Sequence, residues 1–401
     1  MPHTIAVPET DIDIFSEEYL RDPLPAQEEL REIGPIVRLT RYDVYACARY
    51  EEVHRGLTDW QSLQSGAGVG LSDFLKERPW RPPSLLLEAD PPRHDAPRHV
   101  GERLLSPRRL RGMQDEWARV AGELADEILG AGDAFDAVLD IAQRFPLRVF
   151  PDAIGLGPHG REHLLPYGDF AFNAFGPREG IVERLAPTMG PTVAWIDEQC
   201  ARENLAPGSL GAEIWESADR GEIPPEQAPL IVRSLLTAGV DTTVTGIAAV
   251  LHALAGDRVQ WRMLQEDRSL LPRAFEEAVR LESPVQAFFR TTTAPTTIAG
   301  VEIPAREKVV LILGAANRDP RRWDAPERFD LARDPSGHVG FGMGLHQCVG
   351  QHVARLEATV MLGALLDRVD GVDLAARPVR HLNNTLRGWD SMPMRAEPRR
   401  A

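Results

Sequence analysis

Apolar residues recur at three- and four-residue spacing over 113–129, 272–281 and 350–366, which predicts amphipathic helices there. From about 106 to 281 the pattern reads mainly as helix, broken by Pro and Gly. Strand signals are few and short. They cover 36–39 and 44–48, ahead of a helical stretch, then 297–303 and 308–313 on either side of Pro304-Ala305-Arg306-Glu307. No repeat, low-complexity tract or Gly/Ser linker divides the chain, so one continuous domain over 1–401 is expected. Its β-rich portions fall at about 30–60 and 285–330, and its helical core at about 90–281 and 348–368. The fold class is mainly α with a small β portion. The segment 229–255 is almost unbroken in apolar character, roughly 40 Å long if fully helical. It carries Arg233, Asp241, Gly239 and Gly246, and charges near the centre of a membrane span are costly, so it reads as a buried helix crossing a large core.

Composition narrows the class. The chain has 401 residues with 45 Lys+Arg against 60 Asp+Glu, a formal net charge of −15. That balance argues against a nucleic-acid binder, whose footprint is basic. Three cysteines, Cys47, Cys200 and Cys348, cannot make a disulfide framework, and a reducing compartment follows. The stretch 1–20 is rich in acids and prolines with no apolar run, so neither signal peptide nor membrane anchor is expected. Lys76 and Lys308 are the only lysines beside many arginines, read as the codon bias of a GC-rich bacterial genome. A soluble, cytoplasmic bacterial protein is the expectation.

The chemistry concentrates near the C-terminal end, in Phe341-Gly342-Met343-Gly344-Leu345-His346-Gln347-Cys348-Val349-Gly350. Glycines at 342, 344 and 350 let backbone turn tightly and approach a flat ligand. Cys348 precedes a predicted helix, whose free N–H groups and macrodipole favour thiolate over thiol. Such a thiolate can be the axial ligand of a haem iron. An isolated cysteine is by default a buried small hydrophobe; the glycine frame shifts the reading to a ligand.

With this motif the chain resembles the cytochrome P450 family of haem-thiolate monooxygenases. The resemblance implies a triangular-prism-like domain with a long central helix over a haem b that Cys348 ligates. Glu277 and Arg280 match the family's Glu-x-x-Arg pair, and Arg328 in Pro326-Glu327-Arg328-Phe329 matches its third member, a buried brace for the haem loop. His94, Arg98, Arg290 and His346 match donors to the haem propionates, with Phe341 and Gly350 beside the haem. Ala238-Gly239-Val240-Asp241-Thr242-Thr243 matches the oxygen-binding motif. A threonine hydroxyl there can bond back to a carbonyl one turn earlier and open the helix. The resemblance gives Thr242 the oxygen-handling role, and Asp241 would relay protons. A plain helix irregularity or interhelical ion pair is the competing reading.

Helical geometry extends this. Ser234, Ala238 and Thr242 stand at i, i+4, i+8 and form one stripe. If Thr242 faces the iron, Ser234 lines the same cavity roughly 12 Å further along, with Arg233 at its edge. A hydroxyl and a guanidinium at the far end of an apolar pocket point to a carboxylate anchor, and a flat aromatic acid with a para substituent spans the distance.

Trp80 to Asp90, Phe172-Asn173-Ala174-Phe175, Val232 to Leu236, Glu282 to Thr291 and Asn383 to Gly388 look very like the bacterial 4-methoxybenzoate O-demethylases. The likeness places the carboxylate on Arg81, Ser84, Arg233 and Ser234. It places the ring between Leu87, Phe172, Phe175, Ala238, Val285 and Phe288, residues that ordinary core packing would also explain. One departure is Thr237, where that group more often has serine. The implied reaction consumes O2 and two electrons and turns 4-methoxybenzoate into 4-hydroxybenzoate and formaldehyde. No reductase domain is present, so an iron–sulfur ferredoxin with its own NAD(P)H-dependent reductase is the implied donor. Arg93 to Arg111 holds six arginines and two acids, a local positive patch on which an acidic ferredoxin could dock, or a solvated helix face. Two other classes compete: a haem-binding sensor or carrier without turnover, and a peroxide-driven hydroxylase. The Asp241–Thr242 pair argues against both.

Overall fold

The computed structural model describes residues 7–399; residues 1–6 of the acidic N-terminal stretch lie outside the described residues. The three amphipathic segments fold as helices Gln114–Ala131, Leu271–Glu282 and Gln351–Leu366. Asp115 and Glu116 open the first of these, where acids suit the helix N-terminus. The third packs against both others. Their apolar faces meet in the largest core cluster, where Trp261, Phe275, Phe145 and Leu124 are all but sealed from solvent.

The long apolar segment runs through this core. By length and hydropathy Pro225–Leu254 would pass for a membrane span, but 72% of its most apolar window is buried inside the protein. It is two helices, Ala228–Ala238 and Asp241–Leu254, interrupted at Gly239–Val240.

The main sheet has six strands in the order Glu9–Thr10, Val37–Leu39, Val44–Cys47, Lys308–Ile312, Ala287–Thr292 and Leu63–Gln64. Val44–Cys47 pairs parallel with Lys308–Ile312, and Ala287–Thr292 pairs antiparallel with both Lys308–Ile312 and Leu63–Gln64. The run 297–303 is a hairpin rather than one strand. Thr296–Ile298 turns back on Val301–Ile303 through Ala299 and Gly300, both at positive φ. The sequence pattern also missed the C-terminal strands. Val379–Leu382 pairs with Arg387–Ser391, and Pro393–Pro398 lies between Val369–Leu374 and Ala134–Asp136. Their side chains are mixed and, for Pro393–Pro398 with Ala134–Asp136, the partner is distant in sequence, so no clean alternation announces them.

A buried ion network ties helix Leu271–Glu282 to the loop before the cysteine motif. Glu277 and Arg280 are fully buried and doubly bonded, at 2.7 and 2.9 Å. The remaining guanidinium N–H groups donate to the carbonyls of Asn317, Pro326 and Arg328. The expected third member is corrected here. The Arg328 side chain is exposed and only its carbonyl takes part; Arg333 reaches Glu277 instead, Nε to Oε1 at 2.9 Å. The chain turns between 328 and 333, bringing the later arginine inward.

Removing a donor to a buried carboxylate costs about 1–3 kcal/mol, whereas an exposed side chain is worth at most about 0.5 kcal/mol. Arg333→Ala is therefore expected to lower stability by about 1–3 kcal/mol and Arg328→Ala hardly at all. Urea unfolding of the two variants compares them.

Candidate active site

Between the interrupted helix and the cysteine loop lies a cavity with about 1560 Å³ of empty space, its mouth included. Ser234, Ala238 and Thr242 all line it, as the helical stripe requires. At the interruption, the hydroxyls of Thr242 and Thr243 stand in for missing amides: they donate to the carbonyls of Ala238 (2.8 Å) and Gly239 (3.4 Å). Gly239 is needed because a Cβ would stand 2.3 Å from the Phe150 ring.

The cysteine loop forms the opposite wall. Gly344 sits at φ 66°, and a Cβ there would press on the Thr58 backbone at 3.2 Å, so the loop closes only around glycine. Cys348 N–H donates to the Phe341 carbonyl at 2.8 Å, and the amides of Gly350 and Gln351 point hydrogen bonds at its sulfur. Helix Gln351–Leu366 begins three residues later, with Gly350 as its N-cap. The expected thiolate is not favoured by these groups alone. Burial pushes the thiol up, outweighing the amides and the charges of Arg98 and Arg355. A coordinated metal cation would deprotonate it outright. Cys47 and Cys200 are buried away from the cavity and burial pushes both thiols up, Cys200 to about 12.

The cationic residues around this wall fit a dianionic macrocycle. Arg290 is 2% exposed, and burial brings its guanidinium down to about 10 despite the opposing charge of Asp90. Among the described residues its only hydrogen-bond partner is the Phe289 carbonyl, so its cavity-side N–H groups await an anion. Arg98 donates to the Gln347 carbonyl and to Glu102. His346 lines the cavity but both its ring nitrogens are engaged, with Leu86 O and Asp90 Oδ1 at 3.3 Å. His94 stands behind it, rings 4.8 Å apart; both of its nitrogens are buried without a hydrogen-bond partner. Propionate donors thus line the wall at Arg98 and Arg290, and at His346 only if it yields Asp90; His94 does not line the cavity but stands behind His346. Phe341 lines the wall beneath the Arg355 guanidinium.

At the far end the anchor is already assembled. Ser84 and Ser234 hydroxyls meet at 2.9 Å. Arg81 is held by Glu88 at 2.9 Å, and the same carboxylate accepts the Ser84 amide at 2.7 Å. Arg233 donates to the Pro82 carbonyl and faces the exposed Asp197 at 3.8 Å. Sequence reasoning gave Glu88 no role, although an acid four residues after Ser84 is the signal of a local amide acceptor. Arg81 Nε is buried without a partner. Between anchor and cysteine stand Leu87, Phe172, Phe175, Val285 and Phe288, with Phe175 edge-on to both Phe172 and Phe288 at 5.8 and 5.9 Å. Thr237 spends its hydroxyl on the Arg233 carbonyl at 2.7 Å, so the methyl, not the hydroxyl, is what it adds to the wall.

Asp241 opens helix Asp241–Leu254 with its Oδ2 buried and unpartnered. Burial, aided by the charge of Asp169 and opposed by His381, lifts its carboxyl well above the usual range. It fits only because residue 168 lacks a side chain: a Cβ on Gly168 would lie 1.5 Å from Asp241 Oδ2.

Comparison with known proteins agrees with this architecture. Residues 212–370 match the family model described as Cytochrome P450. A cytochrome P450 of Rhodopseudomonas palustris, CYP199A2, is 53% identical over 99% of this chain and 96% of its own length. Cytochrome P450 107B1 of Saccharopolyspora erythraea is 31% identical, covering 96% and 98%. Among solved structures, CYP109Q5 of Chondromyces apiculatus superposes with a TM-score of 0.81 at 29% identity, over 99% of this chain and 100% of that one.

Gly168→Ala is expected to push the Asp241 carboxylate out of its notch and to cost about 1–3 kcal/mol, the usual range for overpacking. Its crystal structure and urea unfolding midpoint check both; an unmoved Asp241 would show that the notch is slack.

Proposed function

We propose that this chain, which belongs to the cytochrome P450 family of haem-thiolate monooxygenases, oxidises para-substituted benzoic acids, with O-demethylation of 4-methoxybenzoate as its reaction. Family members bind haem through a cysteine thiolate. Cys348 is the proposed ligand, since of the three cysteines it alone lies on the cavity wall. Arg98, Arg290 and His346 would hold the propionates, with His94 behind His346 and with Phe341 and Gly350 against the macrocycle. When bound, the haem supplies the two-electron activation of O2 that places one oxygen atom in a C–H bond.

The observation that carries the substrate reading is the polarity of the cavity. Two guanidiniums and two hydroxyls gather at the end away from Cys348, and apolar side chains line the space between. A carboxylate bonded there puts the para substituent toward the cysteine wall. Phe172, Phe175 and Phe288 fix the ring, and Val285 and Ala238 narrow the slot. Glu88 holds Arg81 in place before substrate arrives, so little side-chain order is lost on binding. Hydroxylation of the methoxy carbon gives a hemiacetal, which collapses to 4-hydroxybenzoate and formaldehyde.

Thr242 and Asp241 handle protons. The Thr242 hydroxyl, fixed by the Ala238 carbonyl, presents its oxygen to the cavity and orients water there. Asp241, kept protonated by burial, is the acid that passes protons inward.

Electrons would come from an iron–sulfur ferredoxin served by a separate NAD(P)H-dependent reductase, in the bacterial cytoplasm. In the basic stretch, Arg98, Arg103 and Arg109 are paired with Glu102, Glu222 and Glu213. Arg93, Arg108 and Arg111 remain exposed and without an ion-pair partner among the described residues, a smaller patch than six arginines promised. Helix Asp95–Leu104 carries Arg98 to the Gln347 carbonyl, so docking here brings a donor beside the cysteine loop.

Reduced protein under carbon monoxide is expected to show the red-shifted Soret band of thiolate ligation. Cys348→His should lose the band, whereas Cys47→Ser and Cys200→Ser should keep it. Loss of the band in either of the last two variants would move the ligand elsewhere.

Charge-assisted hydrogen bonds contribute about 1.5–3 kcal/mol each, so Arg81→Ala or Ser234→Ala should weaken 4-methoxybenzoate binding about tenfold to a hundredfold. The methyl ester and 4-methylanisole, which lack the charge, should bind wild type poorly and respond little to either substitution. Titrations that follow the haem spectrum test this; equal affinity for acid and ester would sink the anchor.

A further inference from the structure

Asp241 Oδ2 is buried, and its supply of protons from solvent is not evident from the cavity. The groups behind it provide one. Asp241 Oδ2 presses into the notch at Gly168, and the next residue on helix Leu164–Asn173 is Asp169. Asp169 Oδ1 accepts from His381 Nε2 at 2.7 Å, and from the side-chain amides of Asn383 (2.8 Å) and Asn173 (3.2 Å). Its Oδ2 has no protein donor among the described residues. The other ring nitrogen of His381, Nδ1, meets Asp390 Oδ1 at 2.6 Å. His381 is thus bracketed by two carboxylates, the one histidine so placed among the described residues.

Exposure falls along this array in the direction a proton would enter. The side chain of Asp390 is 56% exposed, His381 34% and Asp169 26%, and Asp241 Oδ2 is sealed. The placement is built by the fold. His381 lies on Val379–Leu382 and Asp390 on its partner Arg387–Ser391, and this hairpin is fastened to helix Leu164–Asn173 by Asn383, Asn384 and Thr385. Neither strand was legible as functional in the sequence.

We propose that Asp390, His381 and Asp169 form the solvent end of the proton supply to Asp241. This rests on the reading of Asp241 as the inner acid. His381 takes a proton from solvent or Asp390 and gives one from Nε2 to Asp169; Asp169, which acts on Asp241 through its charge and makes no direct hydrogen bond to it, passes the proton past Gly168 through an intervening water to the Asp241 carboxylate. Each transfer moves one proton between a nitrogen or oxygen donor and a nitrogen or oxygen acceptor, and no electron changes place. The two carboxylates lift His381 to about 9 against the effect of burial, so the imidazolium donor is present at neutral pH and is lost as pH rises through that value. The groups acting on Asp241 from neighbouring elements are Asp169, which holds its proton on, and His381, which opposes. A proton sent inward is therefore restored from the same two side chains. The competing view is that the array only clamps the hairpin to the helix.

The test uses ferric holoenzyme for one readout and a turnover system for the other. In the infrared, the protonated Asp241 carboxyl is identified by its loss in Asp241→Asn, and its exchange into D2O is timed. His381→Gln and Asp169→Asn are expected to slow that exchange about tenfold or more while leaving substrate binding unchanged. In turnover they should slow product formation about tenfold, below the roughly 10²–10⁴-fold range of groups that transfer the proton directly, and raise the solvent isotope effect. Combining Asp169→Asn with Asp241→Asn should add little to Asp241→Asn alone. Wild-type exchange and wild-type isotope effects in both outer variants, with Asp241→Asn slow, would overturn the inlet and leave Asp241 as the acid. An Asp241→Asn variant with wild-type turnover, or with no carboxyl band to lose, would overturn both. A clamp without proton traffic would lower the unfolding midpoint and move neither exchange nor isotope effect.

Discussion

A helix that crosses the core with its backbone ladder broken at Gly239–Val240 is the constraint on which the site depends. A continuous helix would satisfy every carbonyl internally and present only side chains to the space beside it. The break leaves the carbonyls of Ala238 and Gly239 to the hydroxyls of Thr242 and Thr243, which keeps polar groups on an otherwise apolar wall. It also restarts a helix at Asp241, so a carboxylate enters the core at the point where the wall opens. Phe150 against Gly239 and Asp241 against Gly168 fix the two sides of the break by close contact. Either contact is lost if a side chain is added at the glycine.

Most charges around the cavity are held before any ligand arrives. Glu277 takes two arginines and braces the approach to the cysteine loop; Glu88 takes Arg81 and the Ser84 amide at the opposite end. Between them Arg290 is left with a single carbonyl acceptor, and buried guanidiniums without anions are costly. The protein stores that cost where a dianionic cofactor would relieve it. At Asp241, burial lifts the carboxyl well above the usual range, which favours the neutral form.

Much of this was legible in the sequence, and the parts that were not have physical reasons. Helical periodicity located the helices at 114–131, 271–282 and 351–366 to within a residue or two, because their apolar faces are continuous. Spacing put Ser234, Ala238 and Thr242 on one stripe, and the cavity contains all three. Arg333 was missed for Arg328 because a motif fixes sequence position while the turn between 328 and 333 decides which side chain comes inward. The helix terminus that favours a Cys348 thiolate is visible locally, whereas the burial that opposes it without a metal depends on the whole fold. Glu88, Asp169 and His381 each gain meaning only from partners that are unremarkable as sequence: a backbone amide, a glycine notch and a hairpin from the other end of the chain.

The central claim is that the cavity is polarised, acid end at Arg81, Ser84, Arg233 and Ser234, reacting end at Cys348. A crystal structure of the holoenzyme with 4-methoxybenzoate measures it most directly. The carboxylate oxygens are expected within hydrogen-bond distance of the Ser84 and Ser234 hydroxyls and at least one guanidinium, with the methoxy carbon turned toward the cysteine wall. A carboxylate found on Arg290 or in solvent, with the ring reversed or outside Phe172, Phe175 and Phe288, would contradict it.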